Sequence, residues 1–248
     1  MFHKRSAVSL LSVRNTLRLR TTTTRPVLAL RQTPYNITMP LRPLLTISNS
    51  ILESLKKEEI FEDVLPQFTP KGLLQVSYGG NNEVALGNTL SVAETQSKPK
   101  VQFVLDAPTN SSEEGVNITE QDRFTLVLTD PDAPSRTDKK WSEYAHFIAS
   151  DISLKNTADA GADFLAAEID LGAQGKELLE YVGPAPPAGT GKHRYVFLLY
   201  KQAGVSPQAP KDRPNWGYGS PATGVLKWSE EYSLEPWAVN FFYAENKG

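Results

Sequence analysis

From Gly72 onward the chain is a succession of short apolar runs, each closed by Pro, Gly, Asn or a polar loop. Leu73 to Tyr78 stops at Gly79-Gly80-Asn81-Asn82, and Val101 to Leu105 stops at Asp106-Ala107-Pro108. Phe124 to Leu128, Tyr144 to Ala149, Tyr195 to Tyr200 and Ala238 to Tyr243 complete the set. Runs of this length, rich in β-branched and aromatic residues and punctuated by turn formers, suit strands. The order lacks a βαβ alternation, so it predicts a mainly β fold, a single-domain antiparallel sandwich with a few peripheral helices.

Three stretches carry a helical pattern instead. Thr46 or Ser48 caps a helix in which Ile47, Ile51 and Leu55 recur every fourth residue, Leu52 widens the stripe, and Pro66 and Pro70 follow. Asp159 to Ala167 is short and Ala-rich. Ala222 to Tyr232 puts Val225, Leu226 and Trp228 on one side, ahead of Pro236. Residues 107–121 read as a surface loop.

Composition removes several classes of function. Without cysteine there are no disulfides, thiolate metal sites or cysteine nucleophile. No apolar run approaches the roughly 20 residues needed to span a bilayer. Eight of the 26 basic residues lie in residues 1–52, where there is no acid; the remainder sets 18 basic residues against 28 acidic ones. A body of net charge −10 argues against nucleic-acid binding, which draws its affinity from basic contacts to phosphates. Residues 1–38, rich in Arg, Ser, Thr and Leu, form a basic extension, either disordered or a mitochondrial transit peptide. Met39 is the alternative start, giving a cytoplasmic form of a 39–248 domain.

Two proline-stiffened loops hold the polar residues of interest. The first runs Thr129-Asp130-Pro131-Asp132-Ala133-Pro134-Ser135 and on through Trp141 to His146. The second is Gly183-Pro184-Ala185-Pro186-Pro187 followed by Gly189-Thr190-Gly191-Lys192-His193-Arg194-Tyr195. Asp130 and Asp132 open like a calcium loop, but the sixth position is Ser135 and the twelfth is Trp141, where glycine and glutamate are required. Asp-Pro pairs otherwise form turns. Gly189-Thr190-Gly191-Lys192 fails as a phosphate loop, because Pro186 stands at the first glycine position and His193 follows the lysine. His146 and His193 are candidates for acid–base or metal chemistry, or for satisfied structural groups. No nucleophile elbow or His-Glu-x-x-His pair accompanies them, so a hydrolase is not expected, and no cofactor is expected either.

These words, together with Asp212-Arg213-Pro214-Asn215-Trp216-Gly217-Tyr218-Gly219 and Asn240-Phe241-Phe242-Tyr243-Ala244, resemble the signature segments of the phosphatidylethanolamine-binding protein family, and of its fungal branch in particular. The resemblance runs from about residue 45 to the C-terminus. It implies a Greek-key β-sandwich with a pocket for phosphate or an anionic phospholipid headgroup. That pocket comprises Asp130, Pro134, His146, Pro187, His193 and Tyr195 with the Ala185 backbone N–H, and has Asp132, Trp141 and Tyr144 at its rim. It also implies a cis Asp130-Pro131 peptide.

For function, the resemblance implies a non-enzymatic inhibitor of a serine carboxypeptidase of the carboxypeptidase Y type, with Met39, Pro40, Leu41 and Leu44 approaching the protease. The other roles found in the family are a phospholipid-responsive signalling scaffold and a mitochondrial, ribosome-associated structural protein. Ala185, Tyr144 and Trp141 stand where animal members have glycine, tryptophan and tyrosine.

Overall fold

The computed structural model describes residues 42–105, 118–154, 166–169, 171 and 175–248, excluding the side chains of 42–48. Pro40–Gly248 form one compact unit. Ten strands occur among the described residues: β1 (Gly72–Tyr78), β2 (Asn82–Glu83), β3 (Asn88–Thr89), β4 (Lys100–Leu105), β5 (Phe124–Asp130), β6 (Tyr144–Ile152), β7 (Ala166–Ile169), β8 (Lys176–Leu179), β9 (Lys192–Lys201) and β10 (Glu235–Glu245). They make a four-stranded sheet, β2-β1-β4-β7, and a six-stranded sheet, β3-β10-β9-β5-β6-β8. Every pairing is antiparallel except that of β10 with β3.

The six-stranded sheet is covered on both faces, which is why β5 and the apolar part of β9 read as nearly unbroken apolar runs. One face meets the smaller sheet: Leu126 and Leu128 of β5 and Tyr195, Phe197 and Leu199 of β9 pack against Leu74, Val76 and Phe103 of β1 and β4. The alternate residues, Val127, Val196, Leu198 and Tyr200, face the helices and pack with Ile51, Leu55, Ile60, Val225 and Trp228. β1 has only one covered face and shows the corresponding alternation, burying Leu74, Val76 and Tyr78 and leaving Leu73, Gln75 and Ser77 more open.

Among the described residues three α-helices flank the large sheet: α1 (Arg42–Lys57), α2 (Ile60–Asp63) and α3 (Val225–Glu231). α1 starts earlier than Thr46 or Ser48, both of which lie inside it. Pro43 sits in its first turn, where a missing N–H costs nothing. Ile51 and Leu55 are buried as the spacing requires, and Lys56 and Lys57 lie at the favourable C-terminal end of the helix dipole. In α3, Val225 and Trp228 are buried while Leu226 is exposed. Residues three apart share a helix face, and the neighbour one step on does not. The Ala-rich helix expected over Asp159 to Ala167 is overturned at its end. Ala166 and Ala167 belong to β7 and pair with Val104 and Phe103 of β4, so the ladder overrides alanine's helix propensity. The rest of that stretch, and residues 107–117 of the expected loop, lie outside the described residues.

The expected cis Asp130-Pro131 peptide is not found. Among the described residues the cis bonds are Ala133-Pro134 and Ser142-Glu143.

Candidate functional site

Asp130 ends β5, and His193 and Tyr195 lie on β9 in the phase that faces the smaller sheet. His146 reaches the same place by a break in phase. On β6, Ala145 packs on the helix side and Phe147 on the sandwich side, although residues two apart normally share a face. The β5–β6 register explains this: Leu128 pairs with Phe147 and Thr129 with Ala145, so His146 is the extra residue of a β-bulge. A bulge re-aims the side chain it carries, often beside a functional site.

The four side chains converge. Asp130 Oδ2 lies 2.9 Å from His193 Nδ1, and Asp130 Oδ1 accepts the Asp132 backbone N–H at 2.7 Å. The other histidine nitrogen, His193 Nε2, is 2.9 Å from Thr190 Oγ1, which is 2.8 Å from the Pro187 carbonyl oxygen. His146 Nδ1 lies 2.7 Å from the Val182 carbonyl oxygen. The Tyr195 ring stands edge-on to His146 with centroids 5.2 Å apart, stacks near His193, and rests on Phe242. The Tyr195 hydroxyl has the Ala185 backbone amide as a hydrogen-bonding neighbour, and burial pushes its ionisation far above the ordinary phenol value. Burial likewise pulls the His146 value down, against the opposing pull of Asp130. His146 is therefore a neutral imidazole at neutral pH.

The Asp130–His193–Thr190 chain has the connectivity of an acid–base–nucleophile triad. Thr190 nevertheless sits three residues from Pro187 in a tight turn, and its single hydroxyl proton has the Pro187 carbonyl to serve as well as the imidazole. With His193 only 1% exposed, the chain serves to hold an imidazole in place.

The remaining expected residues fall in different places. Pro134 and Tyr144 are half-buried, with the Tyr144 ring 5.0 Å from His146. Ala185 and Pro187 are exposed. Trp141 is 45% exposed, with Lys140 Nζ 5.1 Å over its ring. Asp132 is not at a rim: it is fully buried on the helix side. There its Oδ2 accepts the Arg194 backbone N–H at 2.8 Å and Nε–H at 3.0 Å, and its Oδ1 accepts from Arg194 at 2.7 Å. Leu44 falls in the first turn of α1, and Met39, Pro40 and Leu41 lie outside the described residues.

Sequence reasoning missed Arg194, which is wholly buried and binds the Glu58 carbonyl at 2.8 Å and Asp63 at 2.5 Å besides Asp132. Burial opposes its charge, but the two carboxylates outweigh burial and hold the guanidinium above its ordinary value. Strand alternation after His193 was the signal that could have found it. Glu143 was also missed. It is buried beside the start of α3, its Oε1 accepts the Val225 N–H at 3.0 Å, and its Oε2 lies 3.0 Å from Thr129 Oγ1.

A family model for phosphatidylethanolamine-binding protein matches residues 66–242. The chain belongs to that family. It is 48% identical over 209 residues to the carboxypeptidase Y inhibitor of Saccharomyces cerevisiae, covering 79% of this chain and 95% of that relative. CEN-like protein 1 of Nicotiana tabacum is 30% identical over 189 residues, covering 72% of this chain and 92% of that relative. Among solved structures, carboxypeptidase Y inhibitor complexed with its cognate proteinase matches with a TM-score of 0.71 at 48% identity, covering 81% of this chain and 97% of that one. The phosphatidylethanolamine-binding protein of Plasmodium vivax, 23% identical, shares the fold at a TM-score of 0.56 over 79% of this chain and 97% of its own.

Proposed function

We propose that this chain is a non-enzymatic inhibitor of a serine carboxypeptidase of the carboxypeptidase Y type, and that it also carries a pocket for a small phosphate-bearing anion. The observation that carries the inhibitor reading is the 48% identity extending over 95% of the yeast inhibitor. The superposition on that inhibitor in its proteinase complex points the same way. A firmly seated α1 fits the role. Its 16 residues make a rod of about 24 Å. Arg194 grips the Glu58 carbonyl just past its last turn, and Ile51 and Leu55 pack into the core. Met39, Pro40 and Leu41 precede that rod in the sequence, and they and Leu44 in its first turn are the residues we assign to the protease. Titrating the form that starts at Met39 against carboxypeptidase Y tests this: inhibition is expected, and full peptidase activity at micromolar excess refutes it.

The convergence of Asp130, His146, His193 and Tyr195 supports the anion pocket. A carboxylate facing a phosphate repels it unless one of the two keeps a proton. A phosphate whose second ionisation lies near pH 6 can share one, while the Tyr195 hydroxyl donates to another oxygen. Affinity for inorganic phosphate therefore weakens as pH rises from mildly acid to mildly alkaline buffer. Equal affinity at both ends, by calorimetry, removes the proton-sharing picture.

A further inference from the structure

The chain that follows β9 lies at the far end of the large sheet from the anion pocket. Phe124 pairs there with Ile152 and Lys201, while Asp130 closes β5 at the other end. Residues 205–210 form neither helix nor strand, and Val205, Ser206, Gln208 and Ala209 are exposed. The hydrogen bonds that hold this loop come from side chains. Ser206 Oγ donates to Asp151 Oδ1 at 2.5 Å, the short distance of a hydroxyl on a carboxylate. Gln202 Nε2 reaches the Val205 carbonyl at 3.4 Å, and Trp228 Nε1 of α3 donates to the Gln208 carbonyl at 3.0 Å.

Asp151 anchors that arrangement from β6. Its φ of 58° is a left-handed conformation that aspartate tolerates. Its backbone N–H donates to Gln202 Oε1 at 3.0 Å, and its Oδ1 also accepts from Gln202 Nε2 at 3.1 Å. Burial opposes its charge, but the bonds from Ser206, Gln202 and Ser150 and the charge of Lys176 outweigh burial and hold the carboxyl below its usual value. The Ser206 hydroxyl therefore serves as a donor to an ionised partner.

Ser206 is followed by Pro207, which is buried and has no N–H. An exposed serine ahead of proline, in chain without regular structure, is what a proline-directed protein kinase accepts. Thr69-Pro70 and Ser220-Pro221 are the other such pairs among the described residues, and Ser206 is the one whose hydroxyl meets a carboxylate.

We propose that Ser206 is a phosphoacceptor for a proline-directed protein kinase, and that phosphate there releases the 203–210 loop from Asp151. Ser206 Oγ attacks the γ-phosphorus of ATP; the new P–O bond forms as the bond to the departing ADP breaks, and the hydroxyl proton passes to the kinase's catalytic carboxylate. The product replaces the donor at Asp151 with a group of charge close to −2, so an attraction becomes a repulsion with only Lys176 to offset it. Gln208 moves with the loop, and Trp228, now 2% exposed, loses its acceptor.

Incubating the full chain with a mitogen-activated protein kinase and ATP, followed by tandem mass spectrometry, tests the acceptor. Phosphate is expected at Ser206. Hydrogen exchange of the 203–211 backbone and of the Trp228 indole N–H is then expected to quicken about tenfold. Ser206→Ala loses the bond without gaining charge and is expected to give a smaller change. Asp151→Asn removes the repulsion and is expected to shrink the effect of the phosphate. A chain left unmodified at Ser206 while a control substrate is fully phosphorylated overturns the acceptor assignment. Phosphate at Ser206 with exchange unchanged overturns the release.

Discussion

Two carboxylates two residues apart, Asp130 and Asp132, each meet a basic residue of β9, and the two pairs face opposite sides of the same sheet. Asp132 is saturated: three N–H groups of Arg194 converge on it, and Arg194 in turn ties it to Glu58 and Asp63 at the end of α1 and in α2. Asp130 meets a single imidazole and one backbone amide, at the edge of a cluster whose other members are a histidine and a phenol. A buried charge that is fully matched holds a structure together, and one that is only partly matched remains able to answer a ligand. Glu143 shows a third solution. It is buried and forms no ion pair among the described residues; burial pushes its value up to about 8, against the pull of its bonds from Thr129 and Val225. At neutral pH it keeps its proton.

The largest effect expected from this contrast is on stability. Asp132→Ala leaves Arg194 buried beside a lost partner, and about 3 kcal/mol or more should disappear from the unfolding free energy. Asp130→Ala removes a bond to an imidazole and one to an amide, for about 1–2 kcal/mol. Denaturant unfolding of the two variants measures the difference, and equal losses would erase the distinction.

Glu143 gives the next effect, as a pH slope. Its folded value of about 8 lies above its ordinary 4.5, so the folded chain holds a proton that the unfolded chain releases across that window. The resulting stabilisation is complete below about pH 4.5 and is lost as pH rises to about 8. In Glu143→Gln the amide can keep both bonds, so this part of the slope should vanish with a cost under about 1 kcal/mol in acid. A melting series across that range, wild type against variant, decides it. The site is tight enough to tell: an added Cβ at Gly224 would lie 2.2 Å from Glu143 Oε1, which is why glycine precedes α3.

The smallest effect concerns Thr190. Thr190→Val removes the hydroxyl from His193 Nε2 while keeping the shape, so stability should change by about 1 kcal/mol or less. The pH dependence of phosphate affinity should change more visibly, because the imidazole loses one of its two anchors. An unchanged affinity profile would mean that Thr190 plays no part in positioning His193.

Much of this was legible in the chain. The strand cores of β1, β4, β5, β6, β9 and β10 follow from apolar runs closed by turn formers, and the two proline-braced loops marked where Asp130, His146, His193 and Tyr195 would be found. What stayed hidden depends on partners distant in sequence. The two- to four-residue strands β2, β3, β7 and β8 are too short to carry a period of their own. The bulge that brings His146 to the sandwich side is a register fact between two strands. The placement of Asp132 away from the pocket follows from Arg194, whose alternation on β9 is plain only once that strand is known to be covered on both faces.

The most direct test of the central contrast is an NMR titration of the wild-type chain with inorganic phosphate, following the ring signals of His146 and His193 together with the side-chain Nε–H of Arg194. The histidine signals should shift and saturate while the Arg194 signal stays still. A saturating shift at Arg194 with the histidines unmoved would contradict the assignment of one carboxylate to the ligand and the other to the fold.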